Sequence, residues 1–367
     1  MGKLFFLTAI TAFIIISCSS EPRYVVEGKL EGVNDGMVYL QKHESGQFVI
    51  VDSAFVDDGA FEITGGSVDY PDIYYLTVEN KRGYLDFFLE NSRISVKGHA
   101  DSLYKAVAQG SFTQDEYDEY NNGLEPLYER NIALFNEISN ARQQGDTLKL
   151  PELEAERSLL FEEITEYNLE YVRSHPESYI TPHILNSQTY DLTIEEIESY
   201  VELLDPKLFG TEVIINLKDR IEKRKKVAIG EMAPDFTLND TVGNPLSLYD
   251  VVGSGLLLVD FWAAWCGPCR QENHNLVNVY NDFHDKGFDV LGVSLDRDRD
   301  DWLKAIKEDS LVWTHISDLQ YFQNEAAQLY AVTAIPANFL LNSEGKILAT
   351  NIRGPELRRT VAEKLGE

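Results

Sequence analysis

Basic residues are scarce in this sequence. Across 367 residues there are 32 Lys and Arg against 61 Asp and Glu, a formal net charge of −29. Phosphate backbones are gripped by clustered basic side chains, so this deficit argues against nucleic acid as a partner. It names no cationic partner either, because an acidic, well-solvated surface accounts for it. Cysteine is rarer still: Cys18, Cys266 and Cys269 are the whole complement. A disulfide-stapled scaffold needs several spaced pairs. If Cys18 has a separate fate, the remaining pair closes too short a loop to join distant parts of the chain, and it reads as reactive rather than structural. Long apolar runs are missing as well. The one candidate, Leu4 to Ile16 behind Lys3, has the length of a signal h-region and falls short of the roughly 20 residues of a spanning helix. Myristoylation at Gly2 fails, since Phe6 stands where the motif needs Ser or Thr. There is no Gly-rich phosphate loop and no serine-nucleophile elbow.

The apolar run ends in Ile15-Ile16-Ser17-Cys18, which resembles the lipobox of bacterial lipoproteins. The resemblance implies a signal peptide over residues 1–17, lipidation of Cys18 as the mature N-terminus, and a body tethered to a membrane by acyl chains alone. It implies a place in the cell envelope facing the periplasm, and Ser19 after the cysteine favours the outer membrane over the inner. The alternative is an ordinary cleaved signal in which Cys18 is incidental.

Residues 18–110 read as a β-rich domain. Val38-Tyr39-Leu40, Phe48-Val49-Ile50-Val51, Ile73 to Val78 and Ile94-Ser95-Val96 are short β-branched or aromatic runs, and Asn34-Asp35-Gly36, Asp57-Asp58-Gly59 and Gly65-Gly66 punctuate them as turns. A small antiparallel sheet or sandwich is expected, resembling the N-terminal β domain of Bacteroidetes-type lipoproteins that carry thioredoxin modules. His43 and His99 in it read as structural or surface residues. Residues 111–227 read as helical: Leu124, Leu127, Ile132, Leu134, Phe135 and Ile138 recur at helical spacing, as do Leu159, Leu160, Ile164, Leu169 and Val172. Asp146 to Pro151 breaks the pattern, and Thr193 opens a further helix with Glu195 and Glu196 in its first turn, where the helix dipole favours anions.

From 228 to 367 strand and helix alternate. Leu256 to Trp262 is a buried strand, Pro268 to about Phe283 a helix, Phe288 to Val293 a strand, and Asn342-Ser343-Glu344-Gly345 the turn of a hairpin that precedes a closing helix from Leu357. An α/β sheet of mixed direction follows. A strand thus delivers Cys266 to the first turn of a helix, where unpaired N–H groups and the dipole favour a thiolate, the attacking species in disulfide exchange. Cys269 lies one turn on and faces the same mixed disulfide. Pro268 belongs in a first turn, where its missing N–H costs nothing.

Trp262-Ala263-Ala264-Trp265-Cys266-Gly267-Pro268-Cys269 resembles a thioredoxin active site. The flanks Ala233-Pro234-Asp235-Phe236, Cys269-Arg270-Gln271-Glu272 and Gly292-Val293-Ser294-Leu295-Asp296 are similar to the TlpA/ResA branch of thiol–disulfide oxidoreductases, with an AhpC/TSA-type thioredoxin domain. The resemblance implies an α/β thioredoxin-like C-terminal domain, preceded by the small antiparallel β domain and the helical region. It implies a protein-disulfide reductase in which Cys266 attacks, Cys269 resolves, Trp265, Gly267, Pro268 and Ile335 shape the substrate surface, and Pro336 is a cis-proline opposite the cysteines. Asp260 and Glu272 are two candidate acceptors for the Cys269 proton; Glu272 reads equally as a solvated helix carboxylate, whereas Asp260 sits in an apolar strand where an idle carboxylate is costly. No cofactor beyond the redox disulfide is expected, and no metal: zinc wants four ligands, and His274 and His284 match no such spacing. A peroxidase wants Thr-x-x-Cys, and Ala263-Ala264 precede Cys266 without a threonine. Expected partners are disulfide-bearing envelope proteins and a membrane thiol-reductant donor of the DsbD/CcdA kind. A disulfide oxidase or isomerase, or a partner-binding lipoprotein with a secondary redox module, are the rivals. The run Asp296 to Asp301 reads as a solvated loop.

Overall fold

The computed structural model describes residues 23–44, 47–189 and 192–367; the segment expected to be a signal peptide, residues 1–17, and Cys18 lie outside these residues. Its contacts divide the chain into two compact units, Met1–Tyr190 with Leu203–Thr211, and Asp191–Glu202 with Glu212–Glu367. No helix among the described residues is long and apolar enough to cross a membrane.

In the first unit eight strands, β1 (Val25–Glu31), β2 (Asp35–Glu44), β3 (Gln47–Asp57), β4 (Ala60–Thr64), β5 (Asp72–Val78), β6 (Leu85–Leu89), β7 (Arg93–His99) and β8 (Val107–Gln109), form a sheet in the order β6-β5-β2-β3-β4-β1-β7-β8. The expected antiparallel pairing holds except between β1 and β7, which run parallel. β3 and β4 meet at one residue pair, Asp57 and Ala60. The turn between them has Asp58 and Gly59 both at positive φ, 48° and 76°, the conformation a two-residue hairpin demands and which Asp-Gly adopts cheaply. Alternate residues of β5 point into a core that holds Val26, Leu40, Leu76, Phe87 and Ile94.

Helix α1 (Phe112–Gln144) starts at Ser111, whose hydroxyl caps the Gln114 N–H, and ends at Gly145 in the left-handed conformation. α2 (Leu150–Ser174) follows the predicted break, with Pro151 in its first turn where no N–H is needed. Tyr120 of α1 donates a hydrogen bond of 2.7 Å to Asn168 of α2 inside the pair. Leu124, Leu134, Ile138, Leu160, Ile164, Leu169 and Val172 are buried as their spacing predicts, but Ile132, Phe135 and Leu159 are exposed. The apolar pattern is wider than the face the partner helix covers; Arg157 lays its guanidinium over Phe135 and Phe161, 5.6 and 4.9 Å from the ring centres. The remaining helices are α3 (Thr181–Gln188), α4 (Ile194–Leu203) and α5 (Glu212–Lys226). Thr193 and Glu196 cap α4 reciprocally.

Besides α5 and all but the last residue of α4, the second unit contains β9 (Thr237–Asp240), β10 (Pro245–Ser247), α6 (Leu248–Val251), β11 (Leu256–Trp262), α7 (Gly267–Phe283), β12 (Phe288–Ser294), α8 (Arg299–Glu308), β13 (Thr314–Ser317), α9 (Glu325–Leu329), β14 (Ala337–Leu341), β15 (Ile347–Thr350) and α10 (Gly354–Leu365). The sheet runs β10-β9-β13-β12-β11-β14-β15. β11 lies parallel to β12 and antiparallel to β14, giving the mixed direction expected. All seven residues of β11 are buried, as a continuous apolar run requires of a central strand. β9, β10 and β13, three or four residues each, are too short to stand out in the sequence.

Candidate active site

The C-terminal end of β11 and the first turn of α7 carry the cysteines. Cys266 is the N-cap of α7, and Cys266 and Cys269 are joined by a disulfide. The Cys266 Sγ accepts the Cys269 N–H at 3.2 Å. The same N–H donor stabilises a thiolate in the reduced form, together with the dipole of a 17-residue helix. Cys266 is 4% exposed and Cys269 1%; around them Trp265, 48% exposed, and the exposed Gly267 and Pro268 form the rim.

The Ile335–Pro336 peptide is cis, and the Ile335 carbonyl oxygen lies 3.8 Å from the Cys266 Sγ. That brings two segments nearly seventy residues apart in sequence to the same sulfur. Both Ile335 and Pro336 are partly exposed, so the backbone here is open to an incoming chain.

Asp260 lies two residues before the end of β11 and is 7% exposed. Burial drives its carboxyl up to about 7, the Glu272 charge pushes in the same direction, and Arg353 opposes both. A carboxyl group balanced near neutrality exchanges protons at working pH. Glu272 is half-buried rather than solvated: its Oε1 accepts hydrogen bonds of 2.8 Å from the Asn275 side chain and from the Gly354 N–H in the first turn of α10. Its carboxylate therefore ties α7 to the start of α10, a role the sequence did not reveal.

Asp296 overturns the expectation of a solvated loop. It is buried, and both its carboxylate oxygens accept the Ala264 N–H, at 3.1 and 3.0 Å. Its Oδ2 also accepts the Ser294 hydroxyl at 2.8 Å. Burial raises its pKa, and the hydrogen bonds from Ala264 and Ser294 work against that rise. The physical reason for the error is that Asp298, and not Asp296, turns the chain outward, capping α8 through the N–H groups of Asp300 and Asp301. Asp296 fixes the backbone two residues ahead of Cys266. Arg270 holds the same loop from the other side, donating to the Ala264 carbonyl at 3.3 Å while its guanidinium pairs with Asp309 at 2.8 Å.

A second feature had no local signal. Trp265 faces Tyr321 and Phe322, with ring centres 5.1 and 6.1 Å away, and Arg297 sits 4.2 Å over Tyr321. Leu319 and Tyr321 adopt positive φ, 60° and 56°, a strained backbone for such side chains, and one that clusters at working sites. The aromatic rim beside Cys266 is thus completed from a segment more than fifty residues away.

A mixed sheet with a cysteine pair at a helix start and a cis-proline beside it defines a thioredoxin-fold redox domain. Residues 229–350 match the AhpC/TSA family, and residues 24–117 match a domain of unknown function, DUF4369. The thiol–disulfide oxidoreductase ResA of Bacillus thuringiensis subsp. konkukian is 28% identical over 143 residues, which are 39% of this chain and 80% of that protein. ResA of Geobacillus thermodenitrificans is 30% identical over 125 residues, 34% of this chain and 70% of its own length. A crystal structure of the thioredoxin domain of a thiol–disulfide oxidoreductase from Bacteroides vulgatus is 40% identical, covering 37% of this chain and 96% of that one, with a TM-score of 0.35. The chain belongs, through its C-terminal domain, to the AhpC/TSA thioredoxin-fold family and to its ResA/TlpA-like thiol–disulfide oxidoreductases, with a DUF4369 β domain at its N-terminal side.

Proposed function

We propose that the protein is a dithiol–disulfide reductase of the cell envelope, anchored through a lipidated Cys18 and acting on protein disulfides. The observation that carries this reading is the Cys266 sulfur held on the Cys269 N–H at a helix start, where a low-pKa thiolate is favoured. The Cys266 thiolate attacks one sulfur of the substrate disulfide; that S–S bond breaks, one substrate thiolate leaves, and a mixed disulfide forms. Cys269 then gives its proton to the Asp260 carboxylate and attacks the Cys266 sulfur. The second substrate thiolate leaves, the Cys266–Cys269 disulfide forms, and two electrons have passed to the substrate. Trp265, Gly267, Pro268 and Ile335 contact the substrate chain, with the backbone before Pro336 as its seat. Two electrons from a membrane thiol donor restore the dithiol.

The test is the reduction potential of the Cys266–Cys269 pair, read by equilibrating the protein against dithiothreitol and glutathione buffers. A value near thioredoxin's, about −270 mV, supports reduction as the working direction; a value toward about −120 mV makes the protein a disulfide donor or isomerase.

A further inference from the structure

Arg353 is the N-cap residue of α10 and stands in no motif. Three sets of contacts hold it. On β14, Asn338 lies opposite Asp260 in the β11–β14 register. The Asn338 side chain donates to the Ile352 carbonyl at 2.8 Å and accepts the Ile352 N–H at 3.0 Å, which pins the residue before Arg353 to the strand that follows Pro336. On the other side, the Gly354 N–H is bound by Glu272. Arg353 itself is half-buried and donates from its guanidinium to the carbonyl oxygen of Pro336. Its Nε is buried with no hydrogen-bond partner among the described residues.

The surroundings of Asp260 are sparse. Gly292 of β12 lies opposite it on one side and offers no side chain; neutral Asn338 lies opposite on the other. The charged groups that act on it are Glu272 from α7 and Arg353 ahead of α10, with opposite signs. Among the described residues, the cation acting on the buried carboxylate is therefore also the donor to the cis-proline carbonyl.

We propose that Arg353 is a positioning residue for thiol exchange: a single guanidinium fastens the Ile335–Pro336 segment beside Cys266 and keeps Asp260 available as the acceptor of the Cys269 proton. The inference rests on the resolving step given above. With the positive charge removed, the Glu272 charge acts on Asp260 uncompensated, Asp260 holds its proton to higher pH, and Cys269 has no base near neutrality. With the fork removed, the Pro336 carbonyl loses its donor and the substrate seat loosens.

The experiment is the pH dependence of turnover in the full chain, with 5,5′-dithiobis(2-nitrobenzoate) as a small disulfide and a disulfide-linked peptide as a large one. Arg353→Met is expected to move the acid limb for both substrates upward by about one pH unit, since a nearby opposite charge holds a carboxyl down by that order. It is expected to raise KM several-fold for the peptide alone. Arg353→Lys restores the acid limb but not the peptide KM, because an ammonium supplies charge without the planar fork. Should Arg353→Met fail to fold, Arg353→Gln removes the charge with a polar side chain in its place and must still shift the limb. An acid limb that Asp260→Asn abolishes but that neither Arg353→Met nor Arg353→Gln moves overturns the assignment of Arg353 and leaves the reductase reading standing. A limb that persists in Asp260→Asn removes Asp260 as proton acceptor, and the Arg353 assignment goes with it.

Discussion

Asp72 in the first unit and Asp260 in the second are buried to the same degree, 6% and 7% exposed, yet their carboxyl groups are driven in opposite directions. Burial raises both. At Asp72 the hydrogen bonds from His183 and Lys42, 3.2 and 2.9 Å away, outweigh it and bring the pKa below its ordinary value. At Asp260 no side-chain hydrogen bond from the described residues opposes burial, Glu272 adds to it, and the Arg353 charge offsets only part. The comparison teaches that a buried carboxylate is structural when its partners are in place and chemical when they are withheld. Asp72 ties β5 to β2 and to α3. Asp260 destabilises the charged state of its own domain and gains a proton affinity near neutrality.

Linkage gives the two regions opposite pH behaviour. Asp72 has a depressed folded value, so its contribution is present above the unfolded value of 3.8 and is lost as pH falls through the lower folded one. Asp260 has a raised folded value, so the stability of its domain is full below 3.8 and declines as pH rises to about 7. At about 1.4 kcal/mol per pH unit, the rise from 3.8 to about 7 costs the folded domain on the order of 4 kcal/mol above neutrality.

The widest gap between the regions is expected at the cysteines themselves. Cys266→Ser should abolish disulfide turnover, and Cys269→Ser should accumulate a mixed disulfide with substrate that intact-mass spectrometry detects; turnover surviving in Cys266→Ser would remove the second unit from the chemistry altogether. Next, Asp260→Asn should slow turnover at pH 7 by roughly 100-fold, the range of a lost acid–base group. It should also raise chemical-denaturation stability at pH 8 by about 2 kcal/mol, because the buried charge goes while an unpaired amide remains. Loss of stability there would mean that Asp260 has a partner after all. Asp72→Ala should do the reverse, costing the first unit about 3 kcal/mol by leaving Lys42 and His183 without their shared anion, with turnover of a small disulfide changed less than two-fold. Asp296→Ala belongs between these classes: an unpaired Ala264 N–H costs about 1–3 kcal/mol, and because that N–H lies ahead of Cys266 turnover falls as well. The smallest effect is expected from Glu272→Gln. The amide oxygen still accepts the Gly354 N–H, so the fold is kept, while removal of the charge lowers the Asp260 value and moves the acid limb of the pH–rate profile to lower pH.

Much of the second unit was legible in the sequence. The apolar run Leu256–Trp262, the helix after Pro268 and the Asn342–Gly345 hairpin turn all stand where their local patterns place them, because a buried central strand and a capped helix are each specified by consecutive residues. The reading erred where neighbouring residues suggest one environment and distant ones impose another. Asp296 sits at the head of an acidic run yet turns inward to bind Ala264, thirty-two residues earlier. Ile132, Phe135 and Leu159 have helical spacing but lie on a face that the helix pair leaves open. Arg353 and Tyr321 carry no motif, and their importance comes from Pro336 and Trp265, which other strands and loops bring beside them.

What the sequence determined by itself was the reactive chemistry: two sulfurs one helical turn apart behind a strand, in a segment whose proline and glycine dictate a helix start. Those are short-range facts, and short-range geometry is enough to place a thiolate on backbone N–H groups. What the tertiary structure decided was where the protons go. The ionisation of Asp260 depends on water excluded by strands on both sides and on charges twelve and ninety-three residues away. Desolvation and Coulomb interactions act through space rather than along the chain, so the affinity of that carboxyl for a proton was fixed only when the fold closed around it.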